Sequence, residues 1–318
     1  MTSSQAIAPQ FNDIPVRSGM ARVHHDSGDI DICYEDWGDE KAPPLLLIMG
    51  LSAQMLLWPE EFCEMLVRKG YRVIRFDNRD IGLSSKVKLR SSDMHDLVRM
   101  ARFSLGLRSP APYTLYDMAR DAVGLLDHLG IEKAHVAGAS MGGMIAQILA
   151  GKYPQRVQSL AVIFSSTNQP FLPPPKPAAI APLMKGPGKG ASEAELVAHS
   201  VKLFSIIGSP AYPEPRETRE AFARRLIARS YHPAGVKRQF MAVLSSGSLK
   251  PWSSKIRVPT VVIHGDRDPL VRPACGRAVA KAIKGARLQI IPGMGHDLPR
   301  GLWSTISDLL DRNARQAV

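Results

Sequence analysis

Apolar residues gather along the chain in short runs, at 45–49, 71–76, 134–137, 160–164, 260–263 and 288–291. Runs of this length without alternation suit strands covered on both faces, as in a parallel sheet between layers of helices. Ahead of them, 21–25 and the alternating stretch 30–37 flank Ser27-Gly28-Asp29, which predicts an antiparallel hairpin. The clearest helical pattern is 115–129, where Leu115, Met118, Ala119, Ala122, Val123, Leu126 and Leu129 form one stripe. Thr114 caps it with Asp117 three residues on, and Gly130 ends it. Strand and helix in alternation predict an α/β fold: a mostly parallel, doubly wound sheet with right-handed crossovers and an N-terminal hairpin. Ligands of such sheets gather at the carboxyl ends of the strands.

One stretch breaks the rhythm. Residues 168–190 are rich in Pro, Gly and Lys, including Pro173-Pro174-Pro175 and Lys185-Gly186-Pro187-Gly188-Lys189-Gly190, which excludes a strand. Two helices are predicted after it, near 217–229 and 235–245, before the sheet resumes at Val258. The expected organisation is an N-terminal extension at 1–19, an α/β core at 20–165 and 251–318, and a helical cap inserted at 166–250 over the strand ends.

Composition narrows the class. Of 318 residues 45% are hydrophobic, enough for a core. No apolar run reaches the roughly 18 residues of a membrane span, so no membrane partner is expected. The first residues lack the basic start and apolar stretch of a secretory signal, and a cytoplasmic protein is expected. Cys33, Cys63 and Cys275 are odd in number and widely spaced, which supports neither a disulfide framework nor a metal cluster. The net charge of +12 raises a nucleic-acid partner, but no basic run interleaved with aromatics accompanies it. Residues 168–250 alone carry 12 Lys and Arg against 5 Glu, read as a solvated helical face. The expected partner is a small-molecule substrate, for a monomer or homodimer.

The chemistry centres on Ser140. It stands in Val136-Ala137-Gly138-Ala139-Ser140-Met141-Gly142-Gly143, a G-x-S-x-G turn between an apolar strand and a helix of small and apolar residues. Serine needs a base to take its proton during attack. His296, in Ile291-Pro292-Gly293-Met294-Gly295-His296, is delivered just beyond the last apolar strand by a glycine-rich loop. An acid must orient the histidine. Asp268, in His264-Gly265-Asp266-Arg267-Asp268-Pro269, is favoured; Asp266 is expected to bind Arg267 or local backbone amides, and His264 to pack or hydrogen-bond at the strand end. An oxyanion formed on attack needs two amide donors. Met141 supplies one at the helix start, and Leu51 the other, after Gly50 in Ile48-Met49-Gly50-Leu51-Ser52.

With these residues in order, the chain from about 20 to 314 resembles the α/β-hydrolase superfamily. The segment Phe76-Asp77-Asn78-Arg79-Asp80-Ile81-Gly82-Leu83-Ser84 is similar to its D-x-R-G-x-G-x-S loop, with Asp80 where glycine is commoner. Within it, Ile48-Met49-Gly50, Arg79-Asp80 and the Ile291 to His296 motif resemble the carboxylic-ester hydrolases typified by aclacinomycin methylesterase. The cap matches that group poorly, so its polyketide methyl ester is not carried over. The resemblance implies a serine esterase without metal or organic cofactor. Relatives that act as dehalogenases or epoxide hydrolases carry aspartate at the elbow, where this chain has Ser140.

Met49, Met55, Trp58 and Met144, with Gly50, are candidates for an apolar substrate pocket. The reading is a capped hydrolase that cleaves the carboxylic ester of a small, largely apolar substrate through an acyl-enzyme. The same triad also serves carbon-carbon bond hydrolysis, lactone opening and peroxyacid formation. A non-catalytic small-ligand binding protein on the same fold is the alternative from another class.

Overall fold

The computed structural model describes residues 13–26, 28–88, 94–188 and 190–317. Residues 1–12 of the expected extension, Ser27 of the expected turn, residues 89–93, Lys189 and Val318 lie outside the described residues. In chain order the elements are β1 Val16–Val23, β2 Ile30–Trp37, β3 Pro44–Ile48, α1 Glu60–Arg68, β4 Arg72–Phe76, α2 Asp96–Ser104 and α3 Leu115–His128. Next come β5 Ala134–Ala139, α4 Met141–Lys152 and β6 Val157–Ile163. Four helices follow, α5 Pro177–Met184, α6 Glu193–Ile207, α7 Arg216–Arg229 and α8 Pro233–Ser246. The chain closes with α9 Lys250–Ser253, β7 Thr260–Gly265, α10 Pro273–Ala282, β8 Arg287–Ile291 and α11 Trp303–Ala314.

The strands form one sheet in the order β1-β2-β4-β3-β5-β6-β7-β8. The β1–β2 and β2–β4 pairs are antiparallel, and every pair from β4 to β8 is parallel. One apolar core joins the sheet to α3, α4 and α10, and a second joins its other face to α1 and α11. Strand β3 is therefore apolar on both sides, and β4 and β5 are largely so, with Arg72, Arg75 and His135 as buried exceptions. Helix α4 is buried from Met141 to Gly151, so it is apolar all round. It approaches β3 so closely that a Cβ on Gly142 would lie 2.1 Å from the Ile48 carbonyl oxygen. Among the described residues no helix is long and apolar enough to cross a membrane.

The predicted cap on α3 is present: Thr114 and Asp117 form a capping box, and Gly130 follows at φ 66°. The first strand departs from expectation. It spans Val16–Val23, not 21–25, and so starts inside the expected extension. Its partner β2 is eight residues long, and antiparallel pairing extends β1 to match, from Val16 opposite Trp37 to Val23 opposite Ile30. β1 is an edge strand whose exposed positions carry charge as well as Val16 and Met20; Arg17, among the added residues, reaches Asp36, and Arg22 reaches Asp31 across the pair. Helices α2, α5 and α6 were not expected either. Helix α6 carries a capping box of Ser192 and Glu195 that is readable as S-x-x-E.

Helices α5 to α8 lie between β6 and β7 and dock on the core through buried ion pairs. Arg238 of α8 binds Asp80 through Nε at 2.8 Å and Nη2 at 2.6 Å, and Arg229 of α7 reaches Asp77 at 2.7 Å. Asp80 also accepts from Val87 N–H at 2.9 Å and Tyr113 O–H at 2.7 Å. Burial and the Asp80 carboxylate hold the Tyr113 phenol well above its ordinary pKa, so it remains a donor.

Replacing one member of a buried pair leaves the other charge unpaired. Asp80→Ala is expected to cost about 3 kcal/mol of folding stability, read from the urea midpoint; a loss below about 1 kcal/mol would mean the pair does not anchor the insertion. Gly142→Ala is expected to destabilise by roughly 2 kcal/mol or more in the same assay, because the obstacle is a backbone carbonyl of the central sheet.

Candidate active site

Four parallel strands end at one place. β5 runs into Ser140, β7 leads to Asp268, β8 leads to His296, and β3 leads to Gly50 and Leu51. Ser140 holds φ 57° and ψ −121°, a left-handed conformation rare for a side-chain-bearing residue. The turn is fixed on both sides: Ser140 N–H donates to Ile163 O at 2.9 Å, and Ser140 O accepts from Ser165 Oγ at 2.6 Å. The flanking glycines are sterically required. A Cβ on Gly138 would lie 2.3 Å from Gly142 O, so strand and helix backbones could not close the elbow with larger residues.

His296 Nε2 stands 2.9 Å from Ser140 Oγ, and Nδ1 is 2.7 Å from Asp268 Oδ2. Asp268 and His296 are buried, and Ser140 is half-buried. The second carboxylate oxygen of Asp268 accepts the amides of Leu270 and Val271, each at 2.8 Å. Burial alone would raise the Asp268 pKa; the charge of His296 and hydrogen bonds from His264 and His296 outweigh it and hold the group at about 2. His264 donates from Nε2 to Val271 O at 2.7 Å and lies 3.5 Å from Asp268, which matches the expected strand-end role. Asp266 accepts Gly293 N–H at 2.7 Å and stays out of the cluster, so Asp268 is the carboxylate that meets the histidine.

Gly50 abuts the serine: a Cβ there would lie 2.9 Å from Ser140 Cβ and 3.3 Å from its Oγ. Leu51 and Met141 follow Gly50 and Ser140 directly, and among the described residues neither of their amides donates a hydrogen bond within the protein. Two free N–H groups beside a serine hydroxyl that faces an imidazole can receive negative charge on an attacked carbonyl.

The other pocket candidates are buried around this point. Met49 lies in the core against α1 and α11, and Met144 in the core against α3 and α4. Met55 packs with Cys33 and Leu56 beneath Phe222 and Leu226 of α7. Trp58 corrects its expectation: it is fully buried and stacked on Phe62 at 5.8 Å, leaving no surface for a substrate. It leads into α1, whose apolar face docks under the sheet and draws the indole with it. The three cysteines are free and buried, and burial pushes Cys33 up to about 11 and Cys63 to about 12.

Several residues that hold the site were not visible in the sequence. Phe164, at φ 35°, sets its ring 4.7 Å from that of His296. Ile207 O, at the end of α6, accepts His296 N–H at 2.7 Å. Ser209 Oγ accepts Gly295 N–H at 2.9 Å and donates to Asp297, whose pKa burial raises. Gln239 of α8 binds Ser52 N–H. A buried Ser or Gln between helices is a weak local signal; only the capped helix leading to Ile207 was readable.

A sequence model described as the alpha/beta hydrolase fold matches residues 43–189. Rhodomycin D methylesterase from Streptomyces peucetius is 27% identical over 309 residues, covering 91% of this chain and 96% of its own. Among solved structures, an enol-lactonase from Burkholderia xenovorans superposes with a TM-score of 0.71 at 22% identity, over 93% of this chain and 100% of its own. A meta-cleavage product hydrolase from Pseudomonas fluorescens gives 0.70 at 18% identity, over 95% and 98%. Sheet order, strand–serine–helix elbow and these matches agree, and the chain has the α/β-hydrolase fold.

Proposed function

We propose that the protein is a serine hydrolase that cleaves the carboxylic ester of a small, largely apolar substrate through an acyl-enzyme. The observation that carries this reading is the relay of 2.9 Å and 2.7 Å from Ser140 through His296 to Asp268, beside two free amides. Ser140 Oγ attacks the ester carbonyl while His296 Nε2 takes its proton. Asp268 holds Nδ1–H and stabilises the imidazolium. The amides of Leu51 and Met141 meet the oxyanion, aided by the positive end of α4. His296 then protonates the departing alcohol, and a water that gives its proton to the same nitrogen releases the acid.

The preference for an ester over the other bonds open to this triad is supported by the methylesterase relative, which aligns along nearly the whole chain. Met49, Met55 and Met144, with Gly50, supply the apolar surroundings of the acyl group in this reading, and helices α5 to α8 serve as the cap. A panel of short-chain nitrophenyl esters against vinylogous diketones separates the reactions; inertness to every ester alongside cleavage of the diketones would favour carbon-carbon hydrolysis.

Ser140→Ala is expected to lower kcat by around 10⁶ and to abolish labelling by a fluorophosphonate probe; near-normal turnover would remove the serine from the mechanism. Asp268→Asn is expected to lower kcat by about 10⁴, since the amide favours the wrong imidazole tautomer. Its stability effect has a defined sign. The folded pKa of about 2 is below the ordinary 3.8, so ionised Asp268 stabilises the fold above about pH 4, and that part is lost as pH falls towards 2. Urea unfolding of wild type and variant at pH 6 and pH 2.5 should differ more at pH 6, by on the order of 2 kcal/mol.

A further inference from the structure

The helical insertion reaches the oxyanion site through one side-chain amide. Gln239 of α8 is fully buried, and both ends of its carboxamide bind backbone groups of the core. Its Oε1 accepts Ser52 N–H at 3.0 Å, and its Nε2 donates to Arg79 O at 2.9 Å. Ser52 follows Leu51 directly and holds φ 65°, a left-handed conformation that a non-glycine residue keeps only where its surroundings impose it. On the other side, Asn78 Nδ2 grips Met49 O at 2.8 Å. Between these grips lie Gly50, which has no Cβ to restrict it, and Leu51. The only internal bond of the turn among the described residues, Ala53 N–H to Gly50 O, is long at 3.3 Å. The direction of the Leu51 N–H is therefore set from outside the turn.

We infer that Gln239 is a positioning residue for the oxyanion site: by holding the Ser52 peptide it aims the Leu51 amide at the carbonyl under attack. The rate of acyl transfer then depends on the docking of the insertion, and not on the core alone. The inference rests on the serine-hydrolase reading above. A Gln239 that merely satisfied buried polar groups would change the amount of folded enzyme and leave the rate per active site intact. A residue that aims a transition-state donor changes kcat with little effect on KM.

The test is Gln239→Met in the full chain, assayed with a short-chain nitrophenyl ester and normalised to active sites counted by exhaustive fluorophosphonate labelling. Normalisation keeps the result readable if part of the variant fails to fold. The expected result is a loss of about 10²-fold in kcat per site with KM changed by less than about threefold. A phenylboronic acid, which becomes tetrahedral on the serine, should lose affinity in step with kcat/KM. An unchanged kcat per site overturns the inference, and so does a rise in KM with kcat intact, which would make Gln239 a contributor to ground-state binding. Wild-type protein that is inert to the esters and unlabelled at Ser140 would overturn the hydrolase reading itself, and this inference with it.

Discussion

Everything at the strand ends depends on how closely three backbones meet at Ser140. The elbow requires β5 to turn into α4 with no side chain between Gly138 and Gly142, and requires α4 to lie against β3 with none between Gly142 and Ile48. The same crowding brings Gly50 against the serine. Once these contacts are made, Ser140 and the Met141 amide are placed by backbone alone, before any long side chain is ordered. Backbone placement is rigid, and an oxyanion site gains from rigidity because its donors need no reorganisation during reaction.

The histidine and the loop of Leu51 lack such steric fixing, and the insertion supplies it. The end of α6 holds the His296 amide through Ile207 and the Gly295 amide through Ser209. Helix α8 holds Ser52 through Gln239. Helices α7 and α8 also place Arg229 and Arg238 on Asp77 and Asp80. Displacing the insertion as one body would break the hydrogen bonds from backbone amides of both loops and strand two buried carboxylates. The insertion is thus built into the site's frame, and it also absorbs part of the positive charge that the sequence places there.

The legible parts of the chain are those where one local pattern decides the outcome. The runs that became β3 to β7 are mainly apolar because both faces are covered, the edge strand β8 keeps Leu288, Ile290 and Ile291, and Ser140, Asp268 and His296 could be found because each follows such a run. Helix α3 shows its stripe and its cap within a single window. Helix α2 defeats the same reading: it buries Arg99 and exposes Leu97 and Val98, the reverse of an ordinary amphipathic helix. Trp58 defeated it as well, since a tryptophan near a glycine loop looks the same whether it lines a pocket or fills a core. Gln239, Ser209 and Ile207 lie far along the chain from the groups they bind, and no local pattern encodes such a pairing.

At Asp80 backbone strain, a buried ion pair and the docking of the insertion meet. Its φ of 72° is one that glycine adopts freely, and a side chain there costs about 1–2 kcal/mol. Its carboxylate accepts from Val87, Tyr113 and both reaching nitrogens of Arg238, and charge-assisted bonds of this kind contribute about 1.5–3 kcal/mol each, so the clamp outweighs the strain. The glycine missing from this loop has a counterpart across the interface. A Cβ on Gly235, in the first turn of α8, would lie 2.1 Å from Asp80 O, so the helix approaches the loop only because that residue has no side chain. Loop and insertion are fitted to each other by this exchange, through contacts that sit beside the Arg79 carbonyl held by Gln239.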